Sequence, residues 1–431
     1  MATEMPNTDT TPDVEELSAT LGKIAEQSQR MVSDFMARQA DQTDSGNDPL
    51  NVGDAFLEMT TRMMSDPTRL AQAQVELWNG YMNLWQQTAN KMIGKESDTP
   101  VEAEPDDRRF LHSDWDENPV FDYIKQSYLM TSKWMINTVR ETDGLDDETA
   151  RKVDFYTRQF IDAMAPTNFA LTNPEVLRET VDSKGQNLVN GLSNLLDDLE
   201  KGKGQLRIKH VEDDAFELGV TVATSPGKVV FQNELFQLLQ FSPLTEKVRK
   251  TPLVIVPPWI NKYYILDLRE KNSFIKWATE QGHTVFVVSW VNPDAALAQK
   301  TFEDYMLDGP VAAIGAACDA AGTDKVNVIG YCIGGTMTAA ALAYMAEKGD
   351  DRVASATFFT TLVDFEEPGE LGVFIDEEQI ASLEDKMAER GYLEGSEMAS
   401  TFSMLRANDL IWSFVINNYL LGKEPFPFDL L

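Results

Sequence analysis

Cysteine occurs only twice in 431 residues, at Cys318 and Cys332. Two thiols can build neither a disulfide framework nor a four-thiolate zinc site, and free thiols fit a reducing compartment. Positive charge is also scarce: 37 Lys and Arg stand against 70 Asp and Glu, a net charge of −33. A field of that sign repels polyanions and excludes nucleic-acid binding through a general basic surface. Histidine is scarcer still, with three residues, His112, His210 and His283. No apolar run approaches the roughly 18 to 20 residues that a transmembrane segment requires. The opening MATEMPNTDT is polar and acidic where a signal peptide needs a basic and then an apolar stretch. These absences point to a soluble intracellular protein, and the length predicts two or three domains.

What is present changes along the chain. Residues 1–107 hold 20 Asp and Glu and 7 Lys and Arg, and the polar, proline-containing stretches 42–49 and 96–105 read as linkers. Between them Phe56, Met59, Met63, Leu70, Leu77, Trp78, Tyr81, Leu84, Trp85 and Met92 recur at helical spacings, broken near Pro67. Either this stripe packs within its own domain, or a Trp78, Tyr81, Trp85 face meets a partner or a hydrophobic surface. A helical pattern then runs to about residue 203. After Gly204 the stretches LRIKHV, FELGVTVA and KVVFQN predict extended structure. From Pro252 to Phe365, short runs apolar on both faces (LVIV, HTVFVVSW, KVNVIGYC, ASATFF) alternate with helical ones, the mark of a parallel sheet covered on both sides. Residues 366–401 turn acidic, with 11 Asp and Glu against 2 Lys and Arg, and read as an inserted helical cap that continues through LIWSFVINNYLLG. The expected organisation is an acidic, partly disordered region with amphipathic helices (1–107), a helical domain (108–203), an α/β core (204–365) and the start of a cap (366–431).

Gly330-Tyr331-Cys332-Ile333-Gly334-Gly335 follows the strand VNVI and opens the helix TMTAAALAYM. That is the setting of a G-x-nucleophile-x-G elbow, with cysteine in place of serine. A turn this tight leaves no room for side chains at the flanking glycines. It puts Cys332 at a helix N-terminus, where free N–H groups favour a thiolate and can stabilise an oxyanion. The Ile333 N–H is one expected oxyanion donor, and Trp259 or Ile260 the other, because Pro257 and Pro258 have no N–H to give. Cys318, in the small-residue stretch AAIGAACDAAG, reads as a core thiol. In this fold the chain order is nucleophile, acid, histidine, yet no histidine follows Cys332. The pattern predicts a sequence cut within the cap, with the triad acid and histidine beyond position 431. Asp364 is read as the cap of the first cap helix, with a triad role as the alternative.

At these residues the chain resembles the class I poly(3-hydroxyalkanoate) synthases. The segments NPVFDYIKQSYL, FALTNPEVLRET, GQNLVNGLSNLLDDL, TSPGKVVFQNELFQLLQ, VPPWINKYYILDL, GYCIGGT and LRANDLIWSFVINNYLLGKEPFPFDLL carry the resemblance, over about Arg108 to Leu431. It implies an α/β-hydrolase-type, mostly parallel sheet with an inserted helical cap, preceded by a mainly α-helical region. It implies an acyltransferase in which Cys332 takes an acyl group from a 3-hydroxyacyl-CoA, such as 3-hydroxybutyryl-CoA, and builds a polyester with release of CoA. No cofactor or metal is expected, since coenzyme A arrives with the substrate. The implied partners are the acyl-CoA, the growing polyester and the surface of a polyhydroxyalkanoate granule in the cytoplasm, with a homodimer left open. Two other readings stand beside this one: a cysteine-type esterase that shares the elbow but releases free acid, and a non-catalytic granule-binding fragment.

Overall fold

The computed structural model describes residues 52–425, apart from 95–100, 102, 105, 106, 205, 213, 214 and 261. Contacts divide the chain into two units, one of Met1–Glu212, Val373–Gln379 and Ser400–Phe426, the other of Asp213–Gly372, Ile380–Ala399 and Pro427–Leu431. Both stretches read as linkers, and most of the region expected to be partly disordered, lie largely outside the described residues.

The first unit is helical. Its helices Pro67–Met92, Pro119–Arg140 and Pro174–Asp182 start in one way: Asp66, Asn118 or Asn173 accepts a first-turn N–H, and proline follows at the position whose own N–H would have no partner. Asp146 caps helix Asp147–Ala163 in the same manner without the proline. Helix Val52–Ser65 ends just before the Asp66 cap, so the expected break near Pro67 is a stop and restart. Ala55, Met59, Val139 and Val153 form a buried cluster between these helices. The later segments are tied in by polar bonds. Tyr419 O–H donates to Asp198 Oδ2 at 2.6 Å, Asn187 Nδ2 donates to the Leu420 carbonyl at 2.8 Å, and Lys152 Nζ reaches Asp376 Oδ2 at 2.7 Å. No described helix is long and apolar enough to cross a membrane.

The second unit is built on a six-stranded sheet: β1 (Gly227–Gln232), β2 (Phe236–Phe241), β3 (Leu253–Val256), β4 (Val285–Trp290), β5 (Val326–Tyr331) and β6 (Val353–Phe359), in the order β1-β2-β4-β3-β5-β6. β1 and β2 are antiparallel to their neighbours; β4, β3, β5 and β6 run parallel. Alternate side chains enter two cores. Val254, Val256, Phe286, Val288, Val326 and Val328 pack with Ala313, Ile314, Ala317 and Cys318 of helix Ala312–Ala321. Leu253, Ile255, Val285, Val287 and Ile329 pack with Ile275 and Ala278 of helix Phe274–Glu280. Both faces of β3, β4 and β5 are covered, which is why they read as continuous apolar runs; β6, expected to be covered in the same way, is mostly exposed as an edge strand of the described sheet.

The extended structure expected after Gly204 is only partly present. LRIKHV forms no strand: the Lys209 N–H goes to Asp198 and its carbonyl to Asn418, so side chains take the backbone groups a ladder would need. FELGVTVA bends into a turn closed by bonds to the Glu217 carbonyl, with one bridge between Leu218 and Val222. The sheet begins at KVVFQ and returns through FQLLQF. The helical stretch between β4 and β5 is interrupted by a π turn, Leu307–Val311, at Gly309 and Pro310.

Burial alone would raise the Asp376 carboxyl, but the bonds from Lys152 and Gln379 outweigh it and hold it below the usual carboxylate range. Lys152→Ala is expected to strand a buried charge and destabilise the first unit by about 3–5 kcal/mol, measured by urea unfolding. The contribution is full above the ordinary carboxylate pKa, about 4, and is lost as pH falls below it. The cost of Lys152→Ala should therefore shrink in acid.

Candidate active site

β5 ends at Tyr331 and helix Ile333–Glu347 begins two residues later, so the whole reversal falls on Cys332. Its backbone takes φ 53° and ψ −127°, a left-handed conformation that an L residue holds only where the surroundings enforce it. The enforcement comes from both sides. The Cys332 N–H donates to the Phe359 carbonyl at 2.9 Å, extending the β5–β6 pairing by one residue, and its carbonyl accepts from Gly335 N–H at 2.8 Å. The thiol is left exposed at the helix N-terminus. The Cys332 amide is thereby committed to the sheet. The next N–H along, that of Ile333, lies in the first helical turn, where no intrahelical acceptor exists.

The three glycines are close-approach positions. A Cβ on Gly330 would lie 2.5 Å from Gly335 Cα; one on Gly334 would meet the Val256 carbonyl and lie 2.5 Å from that of Pro257; one on Gly335 would meet Thr361 Oγ1 and lie 2.7 Å from its Cγ2. Gly334 thus brings the start of the helix against the end of β3, and with it the loop carrying Trp259 and Ile260. The Trp259 ring lies 5.4 Å from Tyr305 and 6.4 Å, edge to face, from Trp290.

Sequence reasoning missed the residues that hold this loop. Trp290 Nε1 donates to the Pro257 carbonyl at 2.8 Å, and Gly309 allows it, because a Cβ there would lie 2.6 Å from Trp290 Cη2. Trp290 ends a parallel strand beside β3, on the edge of the sheet where α/β folds bind ligands, and that position was the available signal. Thr336 and Thr361 secure the other flank, Thr336 Oγ1 donating to the Leu362 carbonyl at 2.6 Å and Thr361 Oγ1 to that of Phe359 at 3.0 Å. Asp364 accepts from the Glu366 N–H, so it closes a bend and caps no helix; the next helical turn starts at Gly369.

His283, the one histidine of the second unit, does not serve Cys332. His283 lies two residues before Val285, which is level with Leu253 and so with Asn327 of β5. Cys332 is seven residues further along the same direction, ~23 Å at 3.3 Å per residue. Burial and Arg249 also lower the His283 pKa. In the first unit, His112 Nδ1 accepts the Asp114 N–H and His210 Nε2 bonds the Leu410 carbonyl at 2.7 Å. Cys318 is buried in the core, and burial raises its thiol pKa. Near the loop, Lys262 Nζ bonds a neutral partner, Asn292 Oδ1, at 2.7 Å.

Two outcomes follow from this geometry. Gly334→Ala should destabilise the second unit by more than the ~1–3 kcal/mol of ordinary overpacking, since the obstruction is backbone; thermal unfolding checks it. Brief treatment with iodoacetamide at neutral pH should alkylate Cys332 and spare Cys318, read by peptide mass spectrometry.

Comparison with known proteins agrees with this architecture. Residues 106–278 match the family model described as "Poly-beta-hydroxybutyrate polymerase (PhaC) N-terminus", and residues 252–430 match "alpha/beta hydrolase fold". The poly(3-hydroxyalkanoate) polymerase subunit of Rhizobium meliloti (strain 1021) is 46% identical over 97% of this chain and 69% of its own. The poly(3-hydroxyalkanoate) polymerase of Methylorubrum extorquens is 50% identical over 85% of this chain and 61% of its own. The corresponding subunit of Cupriavidus necator is 43% identical, also over 85% of this chain and 61% of its own. The chain thus spans between three fifths and about two thirds of the length of these relatives. A putative hydrolase structure from Agrobacterium vitis S4 aligns at 14% identity and TM-score 0.26 over 39% of this chain and 62% of that one, too distant to carry an argument. On sheet order, elbow and these identities together, the chain belongs to the poly(3-hydroxyalkanoate) polymerase family.

Proposed function

We propose that this chain carries the nucleophile-bearing part of a polymerase that joins 3-hydroxyacyl groups from CoA thioesters into a polyester, with short-chain substrates such as 3-hydroxybutyryl-CoA. The observation that carries the reading is the exposed thiol of Cys332 on a strand-to-helix turn of positive φ. The Cys332 sulfur attacks the acyl carbonyl carbon, and the oxyanion that forms is met by the N–H of Ile333 and that of Trp259 or Ile260. The carbon–sulfur bond to CoA then breaks, and CoA leaves as the thiol. One thioester has replaced another, so the acyl group stays activated. The hydroxyl oxygen of a second monomer attacks the Cys332 thioester, the new ester bond forms, and the hydroxyl proton ends on the departing sulfur. Gly330, Gly334 and Gly335 hold the geometry without touching substrate. CoA itself needs no separate cofactor site; Lys262, bonded to a neutral amide, is a cation free to meet its phosphates.

The polyester and the surface of a polyhydroxyalkanoate granule are the remaining partners of this reading, with granule-associated localisation following from it. An esterase would share every step through the acyl-cysteine and differ in the acceptor, water in place of an alcohol. Incubation with radiolabelled 3-hydroxybutyryl-CoA separates the outcomes. Label on the Cys332 peptide, lost in Cys332→Ala, with CoA release and oligomeric product, is the expected result. Label that survives Cys332→Ala overturns the nucleophile, and free hydroxy acid as the sole product overturns the polymerase. Lys262→Ala should raise KM for the CoA ester severalfold with kcat little changed.

A further inference from the structure

Two places in the first unit stand apart from the chemistry at Cys332. One is helix Pro67–Met92, where Trp78 and Trp85 are exposed while Tyr81 turns inward and bonds Thr131 at 2.7 Å, so the three do not share the face expected of them. The other is a cavity of about 390 Å³ beside helix Gln186–Lys201, lined in part by Asn194, Asp198, Lys209, Asn418, Glu424 and Pro425. Its volume falls within the roughly 300–1,000 Å³ of small-molecule sites. Asn418 belongs to a π turn, Val415–Leu420, a rare element found frequently at functional sites.

Asp198 and Asn418 meet at the backbone of one residue. The Lys209 N–H donates to Asp198 Oδ2 at 2.9 Å, and the Lys209 carbonyl accepts from Asn418 Nδ2 at 2.8 Å. Tyr419 donates its O–H to the same Asp198 oxygen at 2.6 Å; burial and the Asp198 carboxylate push that hydroxyl up, so it remains the donor. These bonds decide which atoms are left over. Asn418 is 2% exposed, and with Nδ2 turned to Lys209 its other polar atom is the acceptor Oδ1, which has no partner among the described residues. Asp198 is 3% exposed, and the bonds it receives fall on Oδ2 from uncharged donors. The nearby cation does not serve it, since Lys209 Nζ reaches Glu424 at 3.3 Å. The cavity wall thus holds two nearly buried acceptors, one of them a carboxylate. A buried acceptor without a donor and a buried carboxylate without a cation both cost free energy, and a positively charged donor relieves both.

The class of that donor follows from the rest of the lining. Asp197, Asp198, Glu200 and Glu424 stand against Lys201 and Lys209, an excess of two negative charges. Among the described residues no three His, Cys, Asp or Glu side chains are grouped to hold a metal ion, which argues for an organic cation. We propose that this cavity binds an aliphatic diamine, with one ammonium group donating to Asp198 and Asn418 and the other lying towards Asp197 and Glu200. Bound there, the diamine bridges helix Gln186–Lys201 to residues 418–425 and takes no part in the acyl transfer proposed above.

Calorimetric titration of the full chain with putrescine should give one site per chain, and putrescine should raise the thermal unfolding midpoint. Butylamine should bind severalfold more weakly and butanediol not at all. Asp198→Asn, which keeps the shape and removes the charge, should weaken putrescine binding by about tenfold or more. Glu200→Gln, on the exposed surface of its helix, should weaken it severalfold, and decides the matter if Asp198→Asn does not fold. Absence of heat at millimolar putrescine, butanediol binding equal to that of putrescine, or unchanged binding in a folded Asp198→Asn or in Glu200→Gln would overturn the proposal. Displacement of putrescine by equal concentrations of magnesium or potassium chloride would also overturn it, by making the site one for an inorganic cation.

Discussion

The second unit is organised by a single crowded point, where the first turn of helix Ile333–Glu347 meets the end of β3. Gly334 lies against the carbonyls of Val256 and Pro257, closer than any side chain would permit. That approach fixes three things together. It holds Cys332 in a left-handed backbone conformation, it commits the Cys332 amide to β6, and it sets the start of the loop after β3 against the first helical turn. None of these is a strong interaction in isolation. They persist because sheet pairing on one side and helix packing on the other leave the chain no cheaper path.

The same logic explains why the site was legible in sequence while parts of the fold were not. A Gly-x-Cys-x-Gly between a β-rich and an Ala-rich run encodes its geometry locally, since the glycines are where steric contact occurs. The caps Asp66, Asn118 and Asn173, each before a proline, are equally local. By contrast, LRIKHV has the alternation of a strand but spends its backbone groups on Asp198 and Asn418, which lie 11 and 209 residues away from Lys209 along the chain. Alternation reports which side chains want burial; it does not report what their backbone will bond to. The contact between Trp290 and Gly309, and the bond it permits to Pro257, was hidden for a related reason. Each of the two residues acts through a neighbour brought close only by the sheet order, in which β4 and β3 are adjacent although a helix separates them in sequence.

Scarcity of histidine now has a structural meaning. His112 and His210 bond backbone groups of the first unit, and His283 sits at the entry edge of the sheet, the end remote from Cys332. In the second unit the exposed Cys332 thiol thus stands at a helix start with its unit's one histidine far along the sheet. A thioester needs less help from a base at its formation than an oxygen ester would, because CoA is a better leaving group than an alcohol.

The aromatic group around the elbow has one more consequence. Trp259, Trp290 and Tyr305 lie within 6.4 Å of one another by ring centroids, with Trp290 nearly perpendicular to Trp259 and tilted to Tyr305. Chromophores so close and so fixed couple their transitions, which gives such a cluster a near-ultraviolet circular dichroism that mobile rings do not have. Because the Trp290 indole is bonded to the Pro257 carbonyl, that optical band records the position of the loop packed against the start of helix Ile333–Glu347. The protein carries its own spectroscopic gauge of whether the turn at Cys332 is assembled.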